Sequence, residues 1–263
     1  MKKLCSILIL LVLLTSCSRE NFDSLIEKKR YDEAFEMAKE GYVSTKDLSF
    51  LKDALLTANE YLEDAKIALP ILENHFKSFK NYDSIEDLAA LTYYNSALSF
   101  YRTNKYDSAV ILAEKAFSIK PNYAKAVLLI GKSKVRSGDL KQGYLDIERA
   151  VFADSTLSDG YTFMANMRLI EGKNDEAEEL YRRAVKINPN YYEGWMNLGE
   201  FLGATKRGKE SKDCYRSALL IDSSRIDAYD RLISIFTSED RMDSVLKYMD
   251  KYQKITGINL RVK

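Results

Sequence analysis

Histidine is almost absent from this sequence of 263 residues, with His75 as its single example. One histidine excludes catalytic triads that use a histidine base and metal sites that need several histidines. No glycine-rich phosphate loop and no Cys-x-x-Cys pair occurs either. His75 stands next to Phe76, where a structural role is the simplest reading. The sequence therefore predicts a protein that is no enzyme and needs no metal or cofactor.

Cysteines are also few, and positive and negative charges nearly balance. Of the three cysteines, Cys5 lies in a segment expected to be removed, so Cys17 and Cys214 leave no disulfide framework within one chain. Cys214 reads as a small packing residue on a helix. Because 40 Lys and Arg nearly balance 39 Asp and Glu, without a basic block, nucleic acid is not expected as a partner.

Residues that interrupt helices are few, since the chain has only 3 Pro and 11 Gly. Residues with good helix propensity dominate instead, so the composition predicts an all-α fold.

The first twenty residues have the three regions of a secretory signal peptide. Met1-Lys2-Lys3 is positive, the run from Leu4 to Leu14 is apolar, and small residues follow at 15 and 16. The apolar run is well short of the roughly 20 residues that span a bilayer. No later stretch reaches that length. We therefore expect residues 1–16 to be a cleaved signal peptide.

Leu14-Thr15-Ser16-Cys17 resembles the bacterial lipobox. The resemblance implies that the thiol of Cys17 carries diacylglycerol, that cleavage occurs before it, and that the new amine is acylated. Several acyl chains on one residue would hold the protein stably on a membrane. Ser18 in the following position implies the outer membrane of the cell envelope. An ordinary signal peptide with a chance cysteine and a cytosolic protein with an apolar start remain alternatives.

Residue size recurs with a step of 34 over the rest of the chain. Small residues recur at Ala116, Ala150, Ala184 and Ala218, and large ones at Tyr93, Val127, Tyr161, Trp195 and Tyr229. Aspartates at Asp107, Asp139, Asp175 and Asp243 stand near the expected starts of second helices, where we expect them to cap free amides and oppose the helix dipole. A repeated helical hairpin is the architecture that such a period predicts.

The pattern resembles the tetratricopeptide repeat, most clearly at Trp195-Met196-Asn197-Leu198-Gly199 and at the exit proline Pro189. The resemblance implies a right-handed superhelical solenoid with five copies, at 90–123, 124–157, 158–191, 192–225 and 226–255. Residues 17–89 are expected to form degenerate helical hairpins, at roughly 20–43 and 46–79, with Pro70 kinking or splitting a helix. Residues 256–263 form a C-terminal tail.

By the same resemblance, the first helix of each hairpin lines a concave groove that binds a partner. The implied groove residues are Tyr94, Leu98, Tyr101, Lys125, Leu128, Lys132, Arg136, Asp159, Thr162, Asn166, Glu193, Met196, Asn197, Glu200 and Arg231, with Leu169, Asp227, Asp230 and Ser234 at further such places. A solvated charged face is the competing interpretation. Members that grip a carboxylate need lysines where Thr162 and Asp227 stand, so that function is not expected.

Three functions remain open at this stage. The first is a lipid-anchored scaffold or adaptor of the bacterial cell envelope, as the pilotins of type IV pili are among tetratricopeptide lipoproteins. The second is an accessory or regulatory subunit of an envelope enzyme system that handles peptidoglycan or polysaccharide. The third, less favoured, is direct binding of glycan or lipid by a surface rich in the 18 tyrosines.

Overall fold

The computed structural model describes residues 21–62, 64–79 and 83–258, with the side chains of 75–79 and 83–84 excepted. Within these ranges the secondary structure is helical and contains no strand, so the predicted all-α fold is confirmed. The signal peptide, the lipobox with Cys17, the side chain of His75 and the last five residues lie outside the described part.

The helices follow one another through short turns. They are α1 (21–27), α2 (Tyr31–Thr45), α3 (Leu48–Glu60), a 3₁₀ turn (Ala65–Ala68), α4 (Leu69–Phe79), α5 (Asp83–Arg102), α6 (Tyr106–Ile119), α7 (Ala124–Ser137), α8 (Leu140–Ala153), α9 (Ser158–Ile170), α10 (Asn174–Ile187), α11 (Tyr192–Ala204), α12 (Gly208–Ile221), α13 (Asp227–Ser238) and α14 (Met242–Thr256). Pro70 stands in the first turn of α4, where its missing N–H costs no helical hydrogen bond.

The chain divides into two compact units, unit 1 up to Gly143 and unit 2 from Tyr144. The core of unit 1 is built from alanines and large apolar side chains such as Phe35, Leu55 and Leu72. In unit 2, one cluster surrounds Tyr181 and Leu202, and a second surrounds Leu232 and Phe236. Each cluster draws residues from more than one hairpin, because a single hairpin cannot bury its own apolar side.

Small residues stand where paired helices approach each other. A Cβ atom added at Gly143 would lie 2.7 Å from the carbonyl oxygen of Gly131 and 2.7 Å from the backbone nitrogen of Val135. Ser211 holds the equivalent place in α12, and its hydroxyl donates to the carbonyl of Gly199 at 2.7 Å. These contacts explain the small residues of the 34-residue pattern, since larger side chains would separate the backbones.

Five hairpin turns contain a residue in the left-handed backbone region at the same step of 34. They are Asn104, Gly138, Gly172, Lys206 and Asp240, with φ between +56° and +105°. The next N–H in each turn donates to the carbonyl five residues earlier at 2.8–2.9 Å, as Lys173 does to Arg168. This is the Schellman bond that closes a helix C-terminus. The turn between α1 and α2 repeats it, with Lys29 at φ +58° and a 2.9 Å bond from Arg30 to Leu25.

The capping prediction is correct for one aspartate of the four. Asp139 accepts a hydrogen bond at 3.2 Å from the backbone N–H of Gln142, in the first turn of α8. Asp107, Asp175 and Asp243 lie inside the first turns of α6, α10 and α14 rather than at the cap, and the N-caps of these helices make no side-chain cap bond. Their carboxylates oppose the helix dipole but do not cap a free backbone N–H.

Among the described helices, none combines the length and the apolar composition that crossing a membrane requires.

Candidate functional site

The candidate site is the side of each unit formed by the first helices of the hairpins, because the predicted groove residues lie there. Unit 1 contributes α5 and α7, and unit 2 contributes α9, α11 and α13. These two surfaces are the first-helix faces of unit 1 and unit 2.

Aromatic side chains of the unit 1 face are half-buried and pack against neighbouring rings. Tyr94 is tilted against Tyr123 with 5.2 Å between the ring centroids, and burial, with the nearby Tyr94 hydroxyl, raises the pKa of Tyr123 to about 12. The ammonium group of Lys132 lies 5.1 Å from the centroid of the Tyr101 ring. Leu98 is half-buried beside the same core. Tyr94 and Tyr101 therefore pack against neighbouring groups of the fold, which favours a preformed surface.

Two basic side chains of this face are open to solvent. Lys125 and Arg136 are exposed at opposite ends of α7. Together with Lys132 they give the unit 1 face a positive character.

Three predicted groove residues are buried, and the groove set needs correction there. Leu128, Thr162 and Met196 are 5%, 2% and 8% exposed. The hydroxyl of Thr162 donates to the carbonyl of Ser158 in its own helix, and Met196 packs in the cluster that contains Tyr215. A repeat position fixes the direction of a side chain but not the packing of the next hairpin over it, so these three residues do not line the exposed face.

A cavity of about 380 Å³ opens on the unit 2 face between α9 and α11. Its walls combine apolar side chains with amides and one carboxylate. They are formed by Asn166, Leu169, Asn174, Tyr181, Asn197, Glu200, Phe201, Ala204 and Thr205. Such a mixture of apolar walls and a few directed polar groups is typical of ligand sites.

Two asparagines are oriented in this cavity by bonds to the fold. The hydroxyl of Tyr181 donates to Oδ1 of Asn166 at 2.5 Å, and Nδ2 of Asn197 donates to the carbonyl of Glu193 at 2.7 Å. Burial, aided by the charge of Glu200, raises the pKa of Tyr181 to about 12, so the phenol stays a donor. Among the described residues, Nδ2 of Asn166 and Oδ1 of Asn197 then have no partner. The cavity thus offers one amide donor and one amide acceptor.

An arginine and two carboxylates connect α11 with α13. Arg225 contacts Glu193 at 2.6 Å and Asp227 at 3.0 Å, and its guanidinium lies 3.7 Å from the ring centroid of Tyr192. The Tyr192 hydroxyl donates to Asp227 at 2.5 Å. Burial alone would raise the pKa of Asp227, but the Tyr192 hydroxyl and the Arg225 charge hold it below its usual value. Asp227 therefore stays ionised.

Further carboxylates of this face differ in their partners. Glu200 pairs with Arg231 at 2.5 Å, and Asp159 lies 3.5 Å from the hydroxyl of Tyr191. Asp230 is exposed and pairs with no cation among the residues the structure describes. Burial of its carboxyl and the charge of Asp227 raise the pKa of Asp230. A cation placed here would relieve that repulsion.

The described part of the chain offers no candidate metal site, and its one described cysteine is buried. It contains no cluster of three or more His, Cys, Asp or Glu side chains that could hold a metal ion. Cys214 is 6% exposed and packs in the core around Tyr181, as predicted. Burial raises the pKa of its thiol to about 11, which keeps it protonated and unreactive.

Successive helix pairs with one shared turn and a step of 34 residues define a tandem helical-repeat protein. Family models described as the tetratricopeptide repeat match residues 90–123 and 158–201. These two segments are therefore tetratricopeptide repeats, as the sequence pattern indicates.

Comparison with known proteins gives local similarity to other repeat proteins. The chain is 40% identical over 65 residues to a TPR repeat-containing protein of Dictyostelium discoideum, which is 25% of this chain and 24% of that protein. It is 29% identical over 77 residues to mouse protein O-mannosyl-transferase TMTC3, covering 29% of this chain and 8% of that protein. The matches thus span less than a quarter of the relatives' own lengths.

The fold also resembles a solved structure of PilF from Pseudomonas aeruginosa. The TM-score is 0.58 at 17% sequence identity, and the similarity covers 67% of this chain and 80% of PilF. At this identity the likeness concerns the fold alone.

Proposed function

We propose that this protein is a lipid-anchored scaffold or adaptor of the bacterial cell envelope that binds a segment of a partner protein on its first-helix faces. Tetratricopeptide repeats support a role in protein interaction. Function within such a fold depends on the residues of the exposed site rather than on the architecture. Catalysis and cofactor binding are not part of this proposal.

The observation that carries the proposal is the cavity between α9 and α11. An extended peptide presents alternating N–H and C=O groups, which match the free acceptor of Asn197 and the free donor of Asn166. Leu169 and Phe201 beside these amides provide apolar contact for one side chain. Because Tyr181 and the α11 backbone fix both amides before binding, little side-chain entropy is lost when a peptide docks.

Affinity capture with paired variants tests this proposal. The wild-type protein and the double variant Asn166→Ala/Asn197→Ala are compared for the envelope proteins they retain, and circular dichroism verifies that the variant keeps its helices. Asn190→Ala, an exposed loop asparagine, serves as the matched control. We expect the double variant alone to lose a partner. Retention of every partner by the double variant would refute binding in the cavity.

The unit 1 face is tested separately by Lys132→Glu/Arg136→Glu. If this face also binds a partner, the charge reversal should remove that partner while leaving those lost by the asparagine variant in place. An unchanged set of captured proteins would limit the site to unit 2.

The membrane anchor rests on the lipobox residues Leu14-Thr15-Ser16-Cys17. We propose that acylated Cys17 holds the protein on the outer membrane, with Ser18 as the residue that supports this sorting. Cys17→Ser should move the protein from the membrane fraction to the soluble fraction. Density-gradient separation of the wild type then distinguishes the outer from the inner membrane. Unchanged fractionation of the serine variant would overturn the anchor.

A further inference from the structure

Negative charge dominates the first-helix face of unit 2. Its five carboxylates are Asp159, Glu193, Glu200, Asp227 and Asp230, and the guanidinium groups among them are those of Arg225 and Arg231. The contacts described above show that these seven side chains lie on α9, α11, α13 and the turn before α13.

The helix dipole favours four of these carboxylates and not the fifth. Asp159, Glu193, Asp227 and Asp230 lie in the first turns of their helices, where a negative side chain opposes the dipole. Glu200 lies near the middle of α11, where the dipole offers little stabilisation. Glu200 is instead held by its ion pair with Arg231. Asp230 makes no ion pair among the described residues, and burial of its carboxyl together with repulsion from Asp227 raises its pKa.

Glu200 joins the acidic groups to the apolar part of the same face. It forms part of the cavity wall together with Leu169 and Phe201. Leu169 is 41% exposed and its neighbour Ile170 is 72% exposed. An apolar recess thus lies next to unbalanced negative charge on one surface.

We infer that the partner segment on the unit 2 face is basic: an extended peptide with one apolar side chain in the cavity and lysine or arginine residues on either side of it. This inference rests on the proposed function and adds the chemistry of the partner. Complementary charge raises the association rate and selects against acidic segments. The apolar contact and the asparagine amides fix where along the face the peptide docks.

Selection from a phage-displayed library of random 16-residue peptides tests the inference on the purified protein. We expect enriched peptides to combine an aliphatic or aromatic residue with an excess of Lys and Arg over Asp and Glu. A synthetic, fluorescently labelled copy of one enriched peptide is then titrated with the wild type, with Asp230→Lys and with Glu179→Lys. Glu179 is an exposed carboxylate on α10, the second helix of its hairpin, so its variant makes the same charge change outside the face.

The Asp230→Lys variant should bind the peptide about fivefold more weakly in low salt, since a change of two charge units acts through water over roughly 8 Å. Glu179→Lys should bind nearly as the wild type does. The difference between the two variants should disappear in about 1 M NaCl, where charges are screened beyond roughly 3 Å.

Different outcomes separate this inference from the proposed function. Acidic or neutral enriched peptides whose binding still needs Asn166 and Asn197 would refute the basic partner and leave the scaffold intact. Basic peptides that bind equally to Asp230→Lys, or that lose as much affinity with Glu179→Lys, would also refute it. If no enriched peptide depends on the two asparagines, the proposed function itself fails.

Discussion

Replacing Gly143 with alanine tests the close helix contact on which the repeat pattern depends. The new Cβ would lie 2.7 Å from two backbone atoms, the oxygen of Gly131 and the nitrogen of Val135, and 2.7 Å from Cγ2 of Val135. A side chain can rotate away from such a contact, but these backbone atoms can separate only if the helices move apart.

The magnitude follows from two opposed effects. Overpacking of this kind costs about 1–3 kcal/mol, and contacts with backbone place it at the upper end. Alanine in place of glycine inside a helix stabilises the folded state by about 1 kcal/mol. We therefore expect Gly143→Ala to lower the free energy of unfolding by about 2 kcal/mol, measured by urea denaturation followed by circular dichroism.

Gly203 provides the matched control, because it is also a helical glycine. Its added Cβ would meet the Ser211 hydroxyl at 3.3 Å and no backbone atom within 4 Å outside its own chain neighbourhood. Gly203→Ala should leave stability unchanged or raise it by about 0.5 kcal/mol. The reasoning is refuted if Gly143→Ala unfolds at the same urea concentration as the wild type, or if both variants change stability equally.

Three further predictions follow from other contacts. Gly172→Ala should cost about 1–2 kcal/mol in urea unfolding, because φ is +76° there and no atom lies close enough for a packing effect; equal stability would contradict this. Tyr181→Phe should cost about 1 kcal/mol through the lost bond to Asn166. Burial raises the pKa of Tyr181 from 10 to about 12 in the folded protein. The stability that its protonated hydroxyl contributes is therefore complete below pH 10 and is lost as the pH rises towards 12. The difference in unfolding free energy between the wild type and the variant should narrow over that window in unfolding titrations. Cys214 should resist modification by a disulfide reagent at pH 8 until denaturant unfolds unit 2, because burial raises its pKa to about 11; rapid modification of the folded protein would contradict this.

The repeat period and the all-α fold could be predicted from the sequence because the same packing constraint on residue size acts at the same position of each repeat. Small residues such as Gly131 and Gly143 recur because two backbones meet there, and a larger side chain is not compatible with that contact. Helices α7, α9 and α11 begin at Ala124, Ser158 and Tyr192, the first residues of three repeats laid out on the sequence.

The burial of Leu128, Thr162 and Met196 could not be predicted in the same way. A place in the repeat gives the direction of a side chain, but its exposure depends on the particular side chains of the adjacent hairpin. The bond that fixes Asn166 comes from Tyr181 on the next helix, α10, and no pattern within a single helix predicts that contact. The capping prediction failed at Asp107 because its helix begins one residue earlier, at Tyr106, which places Asp107 inside the first turn.

The left-handed turn residues carried a sequence signal that the size pattern does not contain. Asn104, Gly138, Gly172 and Asp240 are of types that tolerate positive φ, and they stand 34 residues apart. Lys206 interrupts the series by residue type but not by conformation. Backbone tolerance along the period, in addition to size, locates four of these five turns.

The recurrent turn also constrains how such a gene can change in length. Since the left-handed residue and its closing hydrogen bond return every 34 residues, a duplication or deletion of one whole unit joins an existing helix to an existing helix with the same turn geometry. An insertion of another length within one helix would instead displace the small residues of that hairpin from their partner helix. Recombination in steps of one repeat therefore preserves the fold, whereas the binding residues can change singly.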